Sequence, residues 1–348
     1  MTVTLADVAR KARVHPGTAS KALNPATRHR VAPDTVRRIV RAAESLGYEP
    51  NSLARGLRTQ RSRTIGVLIP DLANPLFPPI VRGIEQVLGA ADHLALLTDT
   101  DNDPDREERL VAMLQGRRSD GFIVATARRE HPLLDRLADA STPLVLLNRI
   151  TDRPRHSSVT CDDAAGVLDA VRHLAELGHR RIAHLAGPQE LSTGHLRHRA
   201  FLDAVDQLGL DRRDCPVLPG TTYSTEAGRS AALTALALRP RPTAVLAGND
   251  LMALGVLDAL TEAGLNCPRD LSVIGFNDMP MLDRMATPLT TIRTPQHEIG
   301  AEAARLILRI LDGLPEPLHI RLPCRLVVRA STAQPTPVEP PGEISPVS

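Results

Sequence analysis

The 348-residue chain carries 42 Lys+Arg against 40 Asp+Glu, four cysteines, two tyrosines, four phenylalanines and no tryptophan, a length that suffices for several domains. Cys161, Cys215, Cys267 and Cys324 are isolated, with no C-x-x-C pair, which argues against a zinc ribbon or a disulfide framework and suits a reduced, cytoplasmic protein. Neither a secretory signal nor a membrane-spanning run is found, so no membrane partner is expected.

The first predicted elements are short helices. Leu5, Val8, Ala9 and Ala12 form one apolar stripe, with Thr4 as N-cap and Asp7 completing a near capping box. A second stripe, Ala19, Ala22 and Leu23, follows Pro16 at a helix start and closes at Asn24-Pro25. Val36, Ile39, Val40, Ala43 and Leu46 make a third, with Gly47 where a left-handed cap belongs. Two short helices joined by a tight turn are the pattern of a helix-turn-helix, which lays its second helix in the DNA major groove.

Charge supports that reading. Residues 1–63 contain 13 Lys+Arg against 4 acids, whereas residues 64–348 contain 29 against 36. A near-neutral total therefore hides a basic head on an acidic body, and nucleic acid is expected at the head alone.

The segments Thr4–Ala9, Val14, Thr18–Asn24 and 46–51 resemble the head of a lactose/galactose-repressor (LacI/GalR) family regulator. The likeness continues, in order, through Ile65-Gly66-Val67, Gly178–Ile182, Pro242–Val245 and Ile274–Asp278, and so covers nearly all of residues 3–330. It implies a recognition helix over Pro16–Leu23, with Pro16, Gly17 and Lys21 at base edges and Thr18 and Ser20 at phosphates. Thr4, Asn24, Arg28, Tyr48 and Asn51 complete the DNA-contacting set of the head that the resemblance implies. Two departures stand out: His15 where the family often has a serine cap, and Arg13 where it often has glycine.

Residues 50–58 resemble the family's hinge, too short to be a stable helix alone. The resemblance makes Leu57 a wedge in the minor groove and places Arg55 and Arg58 on phosphates. Because the wedge needs a pair, a homodimer on a near-palindromic DNA operator is implied.

From Thr64 onward apolar runs alternate with amphipathic stretches. Ile65–Ile69, Leu94–Leu97, Gly121–Val124, Leu144–Leu147, Ile182–Leu185, Ala244–Ala247 and Leu271–Ile274 read as buried strands. Helices are expected over Ile80–Ala91, Ala164–Leu177, Ala227–Leu238 and Leu251–Ala263. The alternation predicts an α/β, doubly wound body, and its length allows two lobes. It resembles the periplasmic-binding-protein fold. The expected division is 1–49 helix-turn-helix domain, 50–63 hinge helix and linker, 64–333 two-lobed effector and dimerisation domain, and 334–348 a disordered Pro-rich tail.

In such sheets ligands bind beyond the carboxyl ends of strands. That rule selects Asn148, Arg149, Asp162, Asn249, Asp250, Asn277 and Asp278 together with the stretch from Asp71 to Phe77. The family pattern marks Leu76, Phe77, Arg149, Arg197, Tyr223, Asn249 and Asn277 as effector-binding. The set combines flat aromatic faces with hydrogen-bonding groups, and suits a small polar effector, a carbohydrate before a purine. Asn277 stands where many relatives have aspartate, and Asp278 follows it, so which of the two meets a ligand hydroxyl stays open in the sequence.

No G-x-G-x-x-G, P-loop, G-x-S-x-G or H-E-x-x-H motif occurs, so no catalytic residue, metal ligand or cofactor is assigned and an enzyme is not expected. The other alternative is a ligand-binding module without regulatory DNA binding, against which the basic head and hinge argue.

Overall fold

The computed structural model describes residues 3–24, 27–48 and 62–336. Pro25, the hinge residues Asn51, Arg55, Leu57 and Arg58, and the chain beyond Thr336 lie outside them. Two compact units are present, Met1–Arg63 and Thr64–Ser348.

In the first unit, α1 (Leu5–Lys11), α2 (Pro16–Leu23) and α3 (Pro33–Leu46) follow the predicted stripes. Thr4 and Asp7 form the reciprocal capping box at the start of α1. Val8, Ala9, Ala12, Ala19, Ala22, Ile39, Ala42 and Ala43 make the small core, with Tyr48 packed at its edge. Small side chains let the three helices approach closely enough to exclude water. Two arginines contribute to the scaffold through their Nε atoms: Arg38 donates to the Ala12 carbonyl (3.0 Å) and Arg28 to that of Ala22 (3.1 Å). Each satisfies a carbonyl that a helix end leaves open.

The second unit has two lobes, each built on a six-stranded sheet. Lobe 1 contains β1 (Thr64–Ile69), β2 (Leu94–Asp99), β3 (Gly121–Val124), β4 (Leu144–Leu147), β5 (Ser157–Cys161) and β11 (His319–Leu322), in the order β11-β5-β4-β3-β1-β2. Every neighbouring pair in it is parallel. Lobe 2 contains β6 (Ile182–Ala186), β7 (Val217–Pro219), β8 (Ala244–Ala247), β9 (Ser272–Asn277), β10 (Thr290–Arg293) and β12 (Arg325–Val327), in the order β12-β10-β9-β8-β6-β7. Here only β12 runs antiparallel, against β10.

Both faces of each sheet are covered, as parallel strands require. In lobe 1, α4 (Phe77–Ala90) and α11 (Gln296–Leu311) bury one face, while α5 (Pro104–Gly116) and α6 (Pro132–Asp139) bury the other. In lobe 2, α7 (Asp163–Glu176) and α8 (Ser192–Gln207) oppose α9 (Thr225–Ala237) and α10 (Asp250–Glu262).

The chain passes between lobes three times: after β5, after β10, and between β11 and β12. Cys161 and Cys324 lie on the first and third passages, where their thiols hydrogen-bond. Isolated in sequence, this pair is brought together by the topology from 163 positions apart. Cys324 and burial push the Cys161 pKa up, so the thiol is a poor nucleophile. All four cysteines are free.

Packing continues past the expected tail boundary. The Thr336 hydroxyl donates to the Arg269 carbonyl at 2.7 Å and Pro335 lies beside Gly178.

His184, within β6, has its Nδ1 on the Leu246 carbonyl at 2.9 Å and stacks on Phe201, while its Nε2 has no partner. Burial pushes its pKa down to about 4. A histidine depressed in the folded state carries no titration penalty at neutral pH. It destabilises the fold progressively as pH falls from its ordinary value through the folded one, because the unfolded chain takes up the proton first. Relative to His184→Gln, the wild type is expected to lose about 3 kcal/mol as pH drops from roughly 6.5 to below 4. Urea midpoints measure this; parallel pH profiles for the two proteins would contradict it.

Candidate DNA-reading face and effector cleft

On the head, α2 buries Ala19 and Ala22 and leaves Pro16, Gly17 and Lys21 exposed, with Thr18 and Ser20 half-buried. The outward face is thus small near its N-terminus and cationic one turn later. Lys21 has no acidic partner among the described residues, so its ammonium is available to a base edge or a phosphate. Arg10 and Arg37, by contrast, pair with Asp7 and Asp34.

Both departures in the head receive a physical account. His15 is the N-cap of α2: its Nδ1 accepts the Gly17 N–H at 3.1 Å, replacing a serine hydroxyl in that role. Arg13 has φ 50°, the left-handed region that glycine enters without penalty. Thr4 is exposed, and Arg28 is exposed beyond its bond to Ala22.

In the body, Asn74, Leu76, Phe77, Asn148 and Arg149 from lobe 1 face Thr193, Arg197, Tyr223, Asn249 and Asn277 from lobe 2. All stand at or beyond the carboxyl ends of parallel strands, or at the starts of the helices that follow. The lobes lie close together, and the space between them is about 20 Å³. That admits roughly one water. A sugar needs a pocket of several hundred Å³, so its entry requires the lobes to separate.

Each predicted cleft residue has a definable local role. Phe77 opens α4, packs into the lobe 1 core and is 2% exposed. Asn249 caps α10, its Oδ1 accepting the Met252 N–H at 2.9 Å. The Tyr223 hydroxyl donates to Thr193 Oγ1 at 3.1 Å, and its ring lies over Gly187, where any β-carbon would overlap it. Arg197 is held three ways within lobe 2: Nη1 to the Gly248 carbonyl (2.9 Å), Nη2 to Asp163 (3.3 Å), and the guanidinium carbon 3.6 Å above the Phe276 ring. Burial opposes its charge, but Asp163 and Tyr223 outweigh that and hold its pKa above the ordinary value.

Arg149 differs. It is buried and no ion pair restrains it among the described residues, whereas its unpartnered Nε is a feature it shares with Arg197. Burial drives its pKa down to about 10, with Tyr223 and Glu107 opposing and Arg128 and Arg197 reinforcing the shift.

Asp162 is not brought into the cleft. Its carboxylate caps α7 by accepting the Ala165 N–H at 3.2 Å, and its neighbour Asp163 reaches the site instead, through Arg197. At 277–278, Asn277 lines the cleft, whereas the Asp278 carboxylate is clamped by Arg293 (2.5 Å) and Arg329 (2.7 Å).

Comparison with known proteins agrees with this geometry. Residues 4–51 match the family of bacterial regulatory proteins of the lacI type, and residues 171–332 match a periplasmic binding protein-like domain. Catabolite control protein A of Priestia megaterium is 33% identical over 334 residues, covering 95% of this chain and 100% of that protein. The chain belongs to the LacI family. It is therefore a DNA-binding transcriptional regulator of that family, and the relatives found are regulators and not enzymes.

Two solved structures extend the comparison. The lac repressor dimer bound to operator and the anti-inducer ONPF superposes with a TM-score of 0.84 at 28% identity, covering 96% of this chain and all of that one. The complex of the regulator CelR with cellobiose gives 0.72 at 30% identity, covering 94% and 99%. Among the described residues no helix is long and apolar enough to cross a membrane, and no cluster of metal-ligating side chains occurs.

Sequence reasoning missed Thr193 and Asp163, and reached Asn74 only as part of the stretch from Asp71 to Phe77. Asp163 was discoverable in principle: a buried arginine needs a counter-ion, and the first turn of a helix is a favoured place for an acid.

Proposed function

We propose that this LacI-family regulator acts as a homodimer that represses transcription from a near-palindromic operator and that a small polar effector, a sugar before a purine, governs its affinity. The observation that carries the effector half is the cleft itself, where asparagines, arginines and hydroxyls from two lobes converge beside Phe77 and Tyr223. The sugar bound by CelR and the operator-bound dimer of the lac repressor support the same reading.

In this mechanism the three passages between lobes serve as the hinge. Ligand binds one lobe separation better than another and shifts the population toward it. Lys21 reads base edges, Pro16 and Gly17 permit close approach, and Thr18 and Ser20 meet phosphates. Asn24, Arg28, Tyr48 and Asn51 add backbone contacts. Leu57 wedges into the minor groove with Arg55 and Arg58 beside it.

The test is Leu57→Ala in the full chain. Operator affinity is expected to fall roughly tenfold or more, while the effector-induced thermal shift stays at its wild-type size. Equal loss of both would remove the wedge from the mechanism.

A further inference from the structure

We propose that the effector is an anion, a phosphate or carboxylate carried on a polyhydroxylated body, and that Arg149 receives its charge. The proposal rests on the reading of the cleft as the effector site and adds the ligand's charge class to it.

Charge is unbalanced in the cleft. Among the residues lining it two are arginines and none is acidic. Arg197 already has Asp163 as counter-ion. The remaining nearby acids are occupied elsewhere. Asp278 sits between Arg293 and Arg329. Asp250 accepts from the Met279 N–H (2.9 Å) and the Thr291 hydroxyl (2.6 Å). Glu107 bonds Thr126 and lies 3.5 Å from the His131 ring. Arg149 is left 8% exposed, with an orphaned Nε and no ion-pair partner among the described residues; Arg128 and Arg197 repel its charge, and the opposing influences are Tyr223 and, more weakly, Glu107.

A guanidinium buried without an acid is strongly unfavourable in the free protein. A neutral sugar gives it acceptors but leaves the charge uncompensated. A phosphate or carboxylate does both, through charge-assisted bonds roughly twice as strong as neutral ones. Asn148, Asn249, Asn277 and Thr193 then suit hydroxyls, and the Tyr223 face suits a ring. The site thus selects a sugar phosphate or a sugar acid over its neutral parent.

The experiment is a calorimetric and thermal-shift panel on the full chain using matched sets: glucose, glucose 6-phosphate and glucuronate; ribose and ribose 5-phosphate; and inorganic phosphate alone. The charged member of a set is expected to bind at least about tenfold tighter than its neutral parent, with the margin shrinking as salt rises. The phosphate and carboxylate arms tell the two anions apart. Arg149→Gln is expected to erase the margin and Arg149→Lys to keep part of it. A neutral parent that binds as tightly as its charged partner overturns the proposal and leaves the effector reading standing, as does a margin that survives Arg149→Gln. A panel in which no member binds overturns both.

Discussion

Arg197→Ala is expected to abolish the effector-induced thermal shift and to destabilise the body by about 3–5 kcal/mol. Arg197 joins three parts of lobe 2: the carbonyl of Gly248 after β8, Asp163 at the start of α7, and Phe276 in β9. Alanine removes all three contacts. Most of the cost comes from what is left behind, because Asp163 is then a buried carboxylate with no cation beside it, and breaking one side of a buried pair costs more than the pair contributes. Arg197→Lys restores charge but not the planar fork that reaches Gly248 and Asp163 together, so it is expected to recover only part of the stability and little of the effector response. Urea unfolding and thermal shift measure the two effects separately. Wild-type stability in Arg197→Ala would show that Asp163 does not depend on the pair.

The second large effect concerns the helix pair that closes lobe 1. A β-carbon at Gly83 would overlap the His297 carbonyl oxygen, and one at Gly300 would overlap that of Ile80, so α4 and α11 touch backbone to backbone from both sides. Backbone cannot rotate away as a side chain does. Gly83→Ala and Gly300→Ala are therefore each expected to cost about 1–3 kcal/mol or more by forcing the helices apart. Gly89 on the same helix α4 supplies the control. A β-carbon there meets nothing within 4 Å. Gly89→Ala is expected to stabilise by up to about 1 kcal/mol through helix propensity alone. Equal effects at positions 83 and 89 would mean that the contact does not hold the helices together.

Much of this architecture was legible because burial on two faces writes a continuous apolar run. Gly121–Val124, Leu144–Leu147 and Ala244–Ala247 coincide with observed strands for that reason, and the three head helices follow from stripe, proline and cap. Elements without such a face were lost. Strand β5 begins Ser157-Ser158, and β11 is an edge strand of alternating exposure, so neither looks like a buried run. Helix α5 is rich in charge, with Val111 and Leu114 as its apolar contribution to the core. Helix α8, which carries Arg197, is hidden for a related reason: its first turns bury Ser192, Thr193 and Arg197 beside the polar cleft, and only its later turns, with Ala200, Phe201, Ala204 and Val205, pack into the core.

The cleft was legible to a similar degree and for a related reason. Strand ends select Asn148, Arg149, Asn249 and Asn277 without reference to tertiary structure. What could not be read is partnership. Asp162 and Asp163 are chemically equal in sequence, and only the direction of the first turn of α7 makes one a cap and the other a counter-ion. Asp278 is an available carboxylate in sequence and a clamped one in the fold, where Arg293 and Arg329 come to it from β10 and the segment after β12. The Cys161–Cys324 meeting likewise exists only because the chain crosses between lobes three times.

That the basic head reads DNA in pairs is tested most directly by selection. The full chain is mixed with a pool of random duplexes at roughly physiological salt, and the retained DNA is sequenced over successive rounds. The prediction is enrichment of an inverted repeat whose two half-sites flank a constant centre. A retained pool indistinguishable from the input, or enrichment of a single unpaired half-site, would contradict it.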